Sequence, residues 1–319
     1  MLRAAYAALL SLAASPAASD FVLHQPIDCS LGDTCYIQHL PDDDPGPGAR
    51  DFTCGSLTYD GHKGTDFALP SLAAMQSGVT VLAAAPGVVA GVRDDMADRY
   101  ATDTASADIA GRECGNGVVL RHDDGWETQY CHMRRGSVLV SPGDRVAAGD
   151  PLGQVGLSGQ TQFPHVHLSV RHGGATVDPF APEAVECGAP GPDLWADTPA
   201  FTAGGVIAAG FAPGIPDYDR IKQGEAAQAS LPANAPGLVL FGYAYGSHAG
   251  DILRLDIQGP DGPFLAQDVT LDTPQAQFFR ATGKRLSQGA WPTGTYTGTV
   301  TLLREGEVID VKTATTRIR

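Results

Sequence analysis

The stretch Trp126-Glu-Thr-Gln-Tyr-Cys-His132 alternates with a period of two residues, the pattern of a β-strand with two unlike faces. Other short apolar segments lie on both sides of it, and glycine- and proline-rich turns separate them. These segments span residues 79–83, 87–92, 117–121, 145–147, 151–155 and 165–170. Many short strands at close spacing favour an antiparallel sheet or a barrel-like sandwich over alternating strands and helices. The sequence therefore predicts a mainly β fold.

The length of the chain indicates more than one domain, because 319 residues exceed what a single hydrophobic core usually supports. Residues 59–187 contain the strands described above and are expected to form an antiparallel β-sheet domain. Residues 188–201 carry proline and glycine with little pattern, which is typical of a linker. Residues 202–319 alternate again in short strands, which predicts a β-sandwich of immunoglobulin-like kind, without a catalytic constellation.

The N-terminal segment carries two further predictions. Residues 1–19 combine a basic residue, a short apolar run and a small-residue cleavage site, which predicts a secretory signal peptide. An N-terminal membrane anchor is the alternative, but the run is too short to span a bilayer, and no later segment is long and apolar enough. Residues 20–58 are rich in aspartate, proline and glycine, and we expect them to form an irregular segment stapled by a disulfide.

The net charge and the cysteine content limit the classes of function that this chain can have. A formal net charge of −15 argues against a phosphate-neutralising surface and so against nucleic-acid binding. Six cysteines follow the predicted signal peptide. An even number of cysteines in an exported chain predicts disulfides in an oxidising compartment, and hence a periplasmic or extracellular protein. Cysteine ligation of zinc is the alternative, although no Cys-x-x-Cys pair occurs. One pair flanks a turn, a second lies at the open end of a predicted hairpin, and the third pair is what remains. The predicted bonds are Cys29–Cys35, Cys114–Cys131 and Cys54–Cys187.

A polar insertion at residues 94–113 interrupts the rhythm of the strands. Loops of this length are more often functional than merely connecting. We expect this insertion to form a lid or a rim of a site, and a simple surface excursion is the alternative.

Three short segments bring together histidines and a carboxylate. They contain His62 with Asp66, then His132, and finally His165 with His167. Residues two apart on a strand point to the same face, so His165 and His167 are expected to project into one site. Imidazole nitrogens and carboxylate oxygens are ligands that zinc prefers, although each segment by itself is more often incidental. His122 and His172 lie beside turns and are interpreted as polar surface, whereas no role is assigned to His24, His39 and His248.

Residues 59–180 resemble the catalytic domain of the lysostaphin-like zinc endopeptidases, the group that includes LytM-type cell-wall hydrolases. Five landmarks in the family's order carry this resemblance. They are His-x-x-x-Asp at 62–66, a strand-turn-strand at 81–89, Tyr-x-His at 130–132, the Gly-Asp-x-Val run at 143–156 and His-x-His at 165–167. The chain departs from the family at Phe163, where a small residue is usual, and at Ser169, where glutamate is frequent.

The resemblance implies a division of roles within one site. His62, Asp66 and His167 correspond to the ligands of one Zn²⁺ per chain, and His132 and His165 correspond to the catalytic histidines. Zinc with three protein ligands lowers the pKa of a bound water towards ~7 and polarises the peptide carbonyl. Because no His-Glu-x-x-His helix supplies a glutamate base, one of the catalytic histidines is expected to take the water proton or to stabilise the oxyanion. Tyr130 could add a hydroxyl to the site or serve in packing.

The implied function is that of a secreted zinc metalloendopeptidase that hydrolyses peptide cross-links of bacterial peptidoglycan. A catalytically silent member of the fold, which binds the wall or regulates a hydrolase, is the first alternative. Such members lack zinc residues, whereas all five positions are intact here. A general extracellular protease is the second alternative. The C-terminal unit could bind the wall or a protein partner, shield the site, or only position the enzyme.

Overall fold

The computed structural model describes residues 21–103, 106–184, 186–189 and 191–319. In these residues the chain is mainly β, as the sequence predicts. The predicted signal peptide at residues 1–19 lies outside the described residues. No described helix has the length and apolar character that a membrane crossing requires.

Ten strands precede residue 180 and contain every strand that the sequence predicts there. They are β1 (Tyr36–His39), β2 (Thr65–Ala68), β3 (Thr80–Leu82), β4 (Gly87–Arg93), β5 (Asn116–Arg121), β6 (Trp126–Met133), β7 (Arg145–Val146), β8 (Pro151–Gln154), β9 (His165–His172) and β10 (Ala175–Val177). Eight of them form one antiparallel sheet in the order β1-β2-β9-β6-β5-β4-β7, with β10 beside β9, while β3 pairs with β8. The short helices are α1 (Leu72–Ser77) and α2 (Ser106–Ile109), with 3-10 turns at Ala101–Asp103 and Asp123–Gly125.

The register of the sheet aligns the candidate site across four neighbouring strands. His39 on β1 lies opposite Asp66 on β2, and Asp66 lies opposite His167 on β9. His167 in turn lies opposite Cys131 on β6, next to His132. Directly opposite residues have Cβ atoms about 5 Å apart, so the pairing alone brings these side chains within reach of one another.

Strand β1 lies within the segment for which the sequence predicts irregular structure. The strand escapes a period-two analysis because Tyr36, Ile37 and Gln38 are all buried, so no polar face alternates with an apolar one. The amide of Gln38 donates a hydrogen bond to the carbonyl of Ala276 (3.0 Å). This bond offsets the cost of burying the polar side chain of Gln38.

The C-terminal unit contains two sheets around a second core. Its elements are β11 (Gly205–Ala212), α3 (Tyr218–Gln223), β12 (Ser230–Leu231), β13 (Gly237–Ser247), β14 (Ile252–Gly259), β15 (Gly262–Thr270), β16 (Gln275–Arg285), β17 (Gly294–Arg304) and β18 (Glu307–Ile318). One sheet has the order β11-β13-β16 and the other β12-β18-β17-β14-β15. The core between them includes Leu240 and Phe278 from the first sheet and Leu255 and Val300 from the second. The immunoglobulin-like assignment of this unit stays a prediction.

The two units also share a hydrophobic cluster. Ile221, Phe241 and Tyr243 of the C-terminal unit belong to the same buried cluster as Phe67 of the large sheet. Trp195, in the predicted linker, is buried in this cluster too. The predicted linker is therefore packed against the N-terminal unit, and the C-terminal unit rests on that unit through an apolar contact.

All three predicted disulfides are present. The bonded pairs are Cys29–Cys35, Cys54–Cys187 and Cys114–Cys131. The hairpin of β5 and β6 closes around Asp123–Gly125 as predicted, and the third disulfide lies at its open end. The long-range bond joins the N-terminal segment to the end of the first domain.

Candidate metal centre

Three donor atoms converge at the point where β2 meets β9. Asp66 Oδ1 lies 3.2 Å from His62 Nε2 and 2.8 Å from His167 Nδ1, and the two nitrogens are 3.2 Å apart. A tetrahedral ion with bonds of ~2.0–2.1 Å needs donor atoms about 3.3 Å apart. The three atoms thus form one face of a tetrahedral shell, and the donor set of two imidazoles and a carboxylate is one that zinc accepts.

The two imidazoles are held from behind by neighbouring groups. His62 Nδ1 donates a hydrogen bond to the carbonyl of Leu40 (2.7 Å), so its Nε2 faces the site. His167 Nε2 lies 3.0 Å from Ser169 Oγ, which leaves Nδ1 for the site. Such outer partners set the tautomer and the orientation of a ligating histidine. Ser169, one of the departures from the family pattern, therefore supplies a hydroxyl partner of this kind.

His39, for which the sequence indicates no role, contacts the centre directly, so that expectation is wrong. Its Nδ1 lies 3.0 Å from Asp66 Oδ2, and the side chain is only 12% exposed. His62, His165 and His167 all approach the other oxygen, Oδ1. His39 thus holds the carboxylate with Oδ1 turned to the three histidines. No local pattern marks this residue, because β1 reaches β2 only in the folded sheet.

The two candidate catalytic histidines are tethered through their Nδ1 atoms. His165 Nδ1 lies 2.9 Å from the carbonyl of Phe163 and 3.1 Å from Thr161 Oγ1, and its Nε2 lies 3.3 Å from Asp66 Oδ1. His132 Nδ1 donates to the carbonyl of Ser158 (2.8 Å). A carbonyl partner places the proton on Nδ1 and leaves Nε2 as an acceptor. The Nε2 of His132 is therefore available as a proton acceptor, whereas the Nε2 of His165 faces the carboxylate of Asp66.

The backbone of His132 adopts a left-handed conformation with φ 62°. For a residue with a side chain this costs on the order of 1–3 kcal/mol and persists where the surroundings hold it. Its N–H donates to the carbonyl of Cys114 (2.8 Å), and the neighbouring Cys131 is bonded to Cys114. The hairpin disulfide thus secures the conformation that turns His132 into the site.

The left-handed conformation of His132 also places Tyr130 away from the site. The Tyr130 hydroxyl is fully buried and accepts a hydrogen bond from the N–H of Ala84 (2.7 Å). Of the two roles considered for this residue, the structure supports packing. Period-two alternation, which would put Tyr130 and His132 on one face, fails at the residue with positive φ.

Burial and neighbouring charges shift the pKa values of His132 and Asp66 in the centre. Burial lowers the pKa of His132 well below its ordinary value, and the neighbouring His165 and His167 act in the same direction. Burial by itself would raise the pKa of Asp66, but the charges of His62 and His165 and the hydrogen bonds of His165 and His167 bring it well below the usual range. At neutral pH the centre therefore combines a carboxylate at Asp66 with a neutral imidazole at His132.

The centre opens into a cleft of about 1150 Å³ that Asp66, His132 and His165 line. The N-terminal segment contributes His39 and Thr58 to its walls, and the insertion at 94–113 contributes Ile109 among others. The insertion is therefore part of the rim, in agreement with the first of the two roles expected for it. Strand β16 and helix α3 of the C-terminal unit complete the lining.

Three of the other histidines have side-chain hydrogen bonds away from the centre. His122 and His172 bond to the carbonyls of Pro86 and Asp124 at turns, and His248 bonds to Ser56. His172 is exposed and thus matches the polar surface role that its flanking turn indicates, whereas His122 is half-buried, with its Nε2 2.8 Å from Thr128 Oγ1.

Two imidazoles and a carboxylate around one point, beside two more histidines in a cleft, are the arrangement of a metal-dependent hydrolase. Residues 60–179 match the model of Peptidase family M23. This part of the chain is therefore an M23 metallopeptidase domain, which confirms the resemblance seen in the sequence.

Relatives of known name match the same region. The chain is 32% identical over 145 residues to the DD-carboxypeptidase/endopeptidase Mpg of Neisseria meningitidis, a match that covers 44% of this chain and 26% of the relative. It is 31% identical over 109 residues to the peptidoglycan DD-endopeptidase ShyA of Vibrio cholerae, covering 34% and 20%. The chain thus spans about a quarter or less of these relatives. The catalytic domain of the M23 protein EnpA from Enterococcus faecalis overlays with a TM-score of 0.34 at 25% identity, covering 52% of this chain and 98% of EnpA.

Proposed function

We propose that the protein is a zinc metalloendopeptidase that hydrolyses peptide cross-links of bacterial peptidoglycan. The observation that carries this proposal is the convergence of His62 Nε2, Asp66 Oδ1 and His167 Nδ1 within 3.2 Å of one another, beside His132 and His165. The names of the M23 relatives, which are peptidoglycan DD-endopeptidases or DD-carboxypeptidase/endopeptidases, support the substrate class.

The ligand residues and the two catalytic histidines have different roles in hydrolysis. His62, Asp66 and His167 would hold one zinc ion, which when bound supplies a Lewis acid that polarises a peptide carbonyl and lowers the pKa of water. Backbone carbonyls hold the Nδ1 atoms of His132 and His165, which turns both Nε2 atoms to the centre, and one of these histidines receives the proton of the attacking water. The other stabilises the charge that develops on the carbonyl oxygen. The low pKa of Asp66 keeps its carboxylate available as a ligand.

An exported location belongs to the same proposal. The three disulfides are stable in the periplasm or outside the cell but rare in the cytosol. Peptidoglycan is found in those compartments, so the chemistry of the cysteines agrees with the proposed substrate.

The shape of the cleft favours this function over that of a general protease. The N-terminal segment, the insertion and the C-terminal unit all rise around the catalytic histidines. A cleft with walls on several sides admits an extended, flexible peptide more readily than a folded protein. The peptide bridges of a cell wall are flexible chains of this kind.

Digestion of purified peptidoglycan and of casein side by side tests the proposal. We expect release of cross-link fragments from the wall and little cleavage of casein. Replacing His165 by alanine should lower turnover on peptidoglycan by about 10²-fold or more while most of the zinc remains bound, because either a general base or an oxyanion stabiliser contributes that factor. Replacing Asp66 by alanine should remove zinc and activity together.

His172→Ala is the matched control for the first substitution, since this exposed histidine on the same strand contacts a turn carbonyl and the ring of Trp126 and does not line the cleft. Normal turnover by His165→Ala, or a full complement of zinc in Asp66→Ala, would contradict the assigned roles. A zinc-loaded wild-type protein without activity on either substrate would favour the silent alternative.

A further inference from the structure

The C-terminal unit forms one wall of the catalytic cleft. Tyr218 and Lys222 of α3 and Gln275 and Gln277 of β16 line the same space as His132 and His165. These residues lie more than fifty positions beyond the last catalytic histidine in sequence, outside the M23 domain. The M23 domain therefore supplies the catalytic histidines, and a second unit supplies part of the surface that a substrate meets.

Direct hydrogen bonds hold this wall in place. The side-chain amide of Gln277 donates to Gln38 Oε1 (2.9 Å) and to the Tyr36 hydroxyl (3.1 Å). Both partners lie on β1, the strand that also carries His39 and thus contacts Asp66. Tyr36 further packs on Tyr245, with ring centroids 4.5 Å apart. Strand β1 thus contacts both the wall and the metal centre, and a substrate cannot separate the two without breaking these contacts.

Lys222 gives this wall a positive charge. It is the only lysine or arginine among the described residues that line the cleft. Its ammonium lies 4.9 Å from the ring centroid of Tyr100, on the insertion, and 5.1 Å from that of Tyr218. These two rings frame the cation and restrict its position. In a chain with a net charge of −15, a cation in the cleft favours binding of an anionic group.

In the structure Lys222 forms a weak ion pair with Asp219. Asp219 Oδ1 accepts from the ammonium at 2.8 Å, but the side chain of Asp219 is 79% exposed, whereas that of Lys222 is 24% exposed. A pair in which one partner is so exposed contributes little, because water screens it. An incoming carboxylate can therefore share the ammonium or displace Asp219 at small cost.

We propose that the C-terminal unit is the recognition wall of the peptidase cleft, and that Lys222 binds a free carboxylate of an acidic peptide substrate. This inference rests on the proposed peptidase function and identifies a feature that its substrate carries. Lys222 contacts the substrate away from the scissile bond and is thus a specificity residue. The insertion takes part through Tyr100, which helps to place the ammonium.

Two synthetic peptides that differ only in one side-chain carboxylate and its amide test the inference. We expect the wild-type protein to prefer the carboxylate peptide by about tenfold or more in kcat/KM, mainly through KM, because a charge-assisted hydrogen bond contributes that factor. Lys222→Met should abolish the preference, because the loss in kcat/KM falls mainly on the carboxylate peptide. Lys222→Arg should retain most of it.

Lys284→Met is the matched control. Lys284 also lies over an aromatic ring, 4.5 Å from the centroid of Phe264, but it is exposed and does not line the cleft. This substitution removes the same charge from the same unit, and we expect the preference to survive it.

The outcomes separate this inference from the proposed function. An equal loss on both peptides in Lys222→Met, accompanied by a lower melting temperature, would assign Lys222 a structural role and overturn the inference. If the wild-type protein cleaves neither peptide, the proposed function fails. Fluorescence anisotropy of the two labelled peptides with zinc-loaded wild type and Lys222→Met then decides: a carboxylate preference confined to wild type supports the inference, and equal binding refutes it.

Discussion

Gly64 lies between two candidate ligands, and the structure explains why this position has no side chain. A Cβ atom there would lie 2.4 Å from the carbonyl oxygen of Leu168 and 2.6 Å from His167 Nε2. Ordinary van der Waals contact begins at 3.4 Å, so the imidazole of His167 has to retreat by about 0.8 Å to admit a methyl group. Replacing Gly64 by alanine therefore acts on His167, which lies a hundred residues further along the chain.

The size of the expected effect follows from the tolerance of a metal site. Bond lengths to a metal vary by only ~0.2 Å between good sites, so a shift of about 0.8 Å takes His167 Nδ1 out of bonding range. The same shift disturbs the 3.0 Å contact between His167 Nε2 and Ser169 Oγ. Loss of an outer partner alone costs about 10–100-fold in metal affinity. We expect Gly64→Ala to weaken zinc binding by about 100-fold or more, which corresponds to about 2.7 kcal/mol.

Competition with a chromogenic chelator measures this loss on the purified protein. Gly91→Ala is the matched control, because a Cβ atom at Gly91 meets nothing within 4 Å. The control should bind zinc as the wild type does. A Gly64→Ala protein with a zinc dissociation constant within about twofold of the wild-type value would refute the argument, since it would show that His167 can move without leaving the metal.

Two further predictions concern stability. Replacing Cys54 and Cys187 by alanine opens a loop of 133 residues and should lower the free energy of unfolding in urea by about 5 kcal/mol, against about 2 kcal/mol for the six-residue loop of Cys29 and Cys35; the reverse ranking would contradict the loop-entropy argument. Burial raises the pKa of Asp178 from 3.8 to about 7. The folded state therefore binds the proton more tightly than the unfolded chain, and stability should fall by about 4 kcal/mol as pH rises from 3.8 through 7. Asp178→Asn should remove that slope, and parallel pH profiles of the two proteins would count against it.

The features that the sequence predicts correctly depend on neighbours a few residues away. The two-residue alternation of Trp126–His132 and the turns around it identify the strands, since side-chain direction in a strand is a local property. The same property puts His165 and His167 on one face. Two of the three disulfides follow from short loops, and the third follows by elimination.

Strand periodicity fails at His132, where the backbone departs from the extended conformation of a strand. His132 leaves the face of Tyr130 because its φ is 62°. This conformation depends on the hydrogen bond to Cys114 and on the disulfide beside it, contacts that strand periodicity does not contain.

The sequence by itself determined the fold class, the disulfides and the five residues of the candidate site, because motif spacing and strand periodicity encode them. Only the tertiary structure decided that His39 holds Asp66 and that Lys222 faces the cleft. Both depend on which strands and units become neighbours: β1 beside β2, and α3 against the insertion. Such pairings are set by burial of apolar surface over the whole chain, which is non-directional and leaves no short pattern around the residues it brings together.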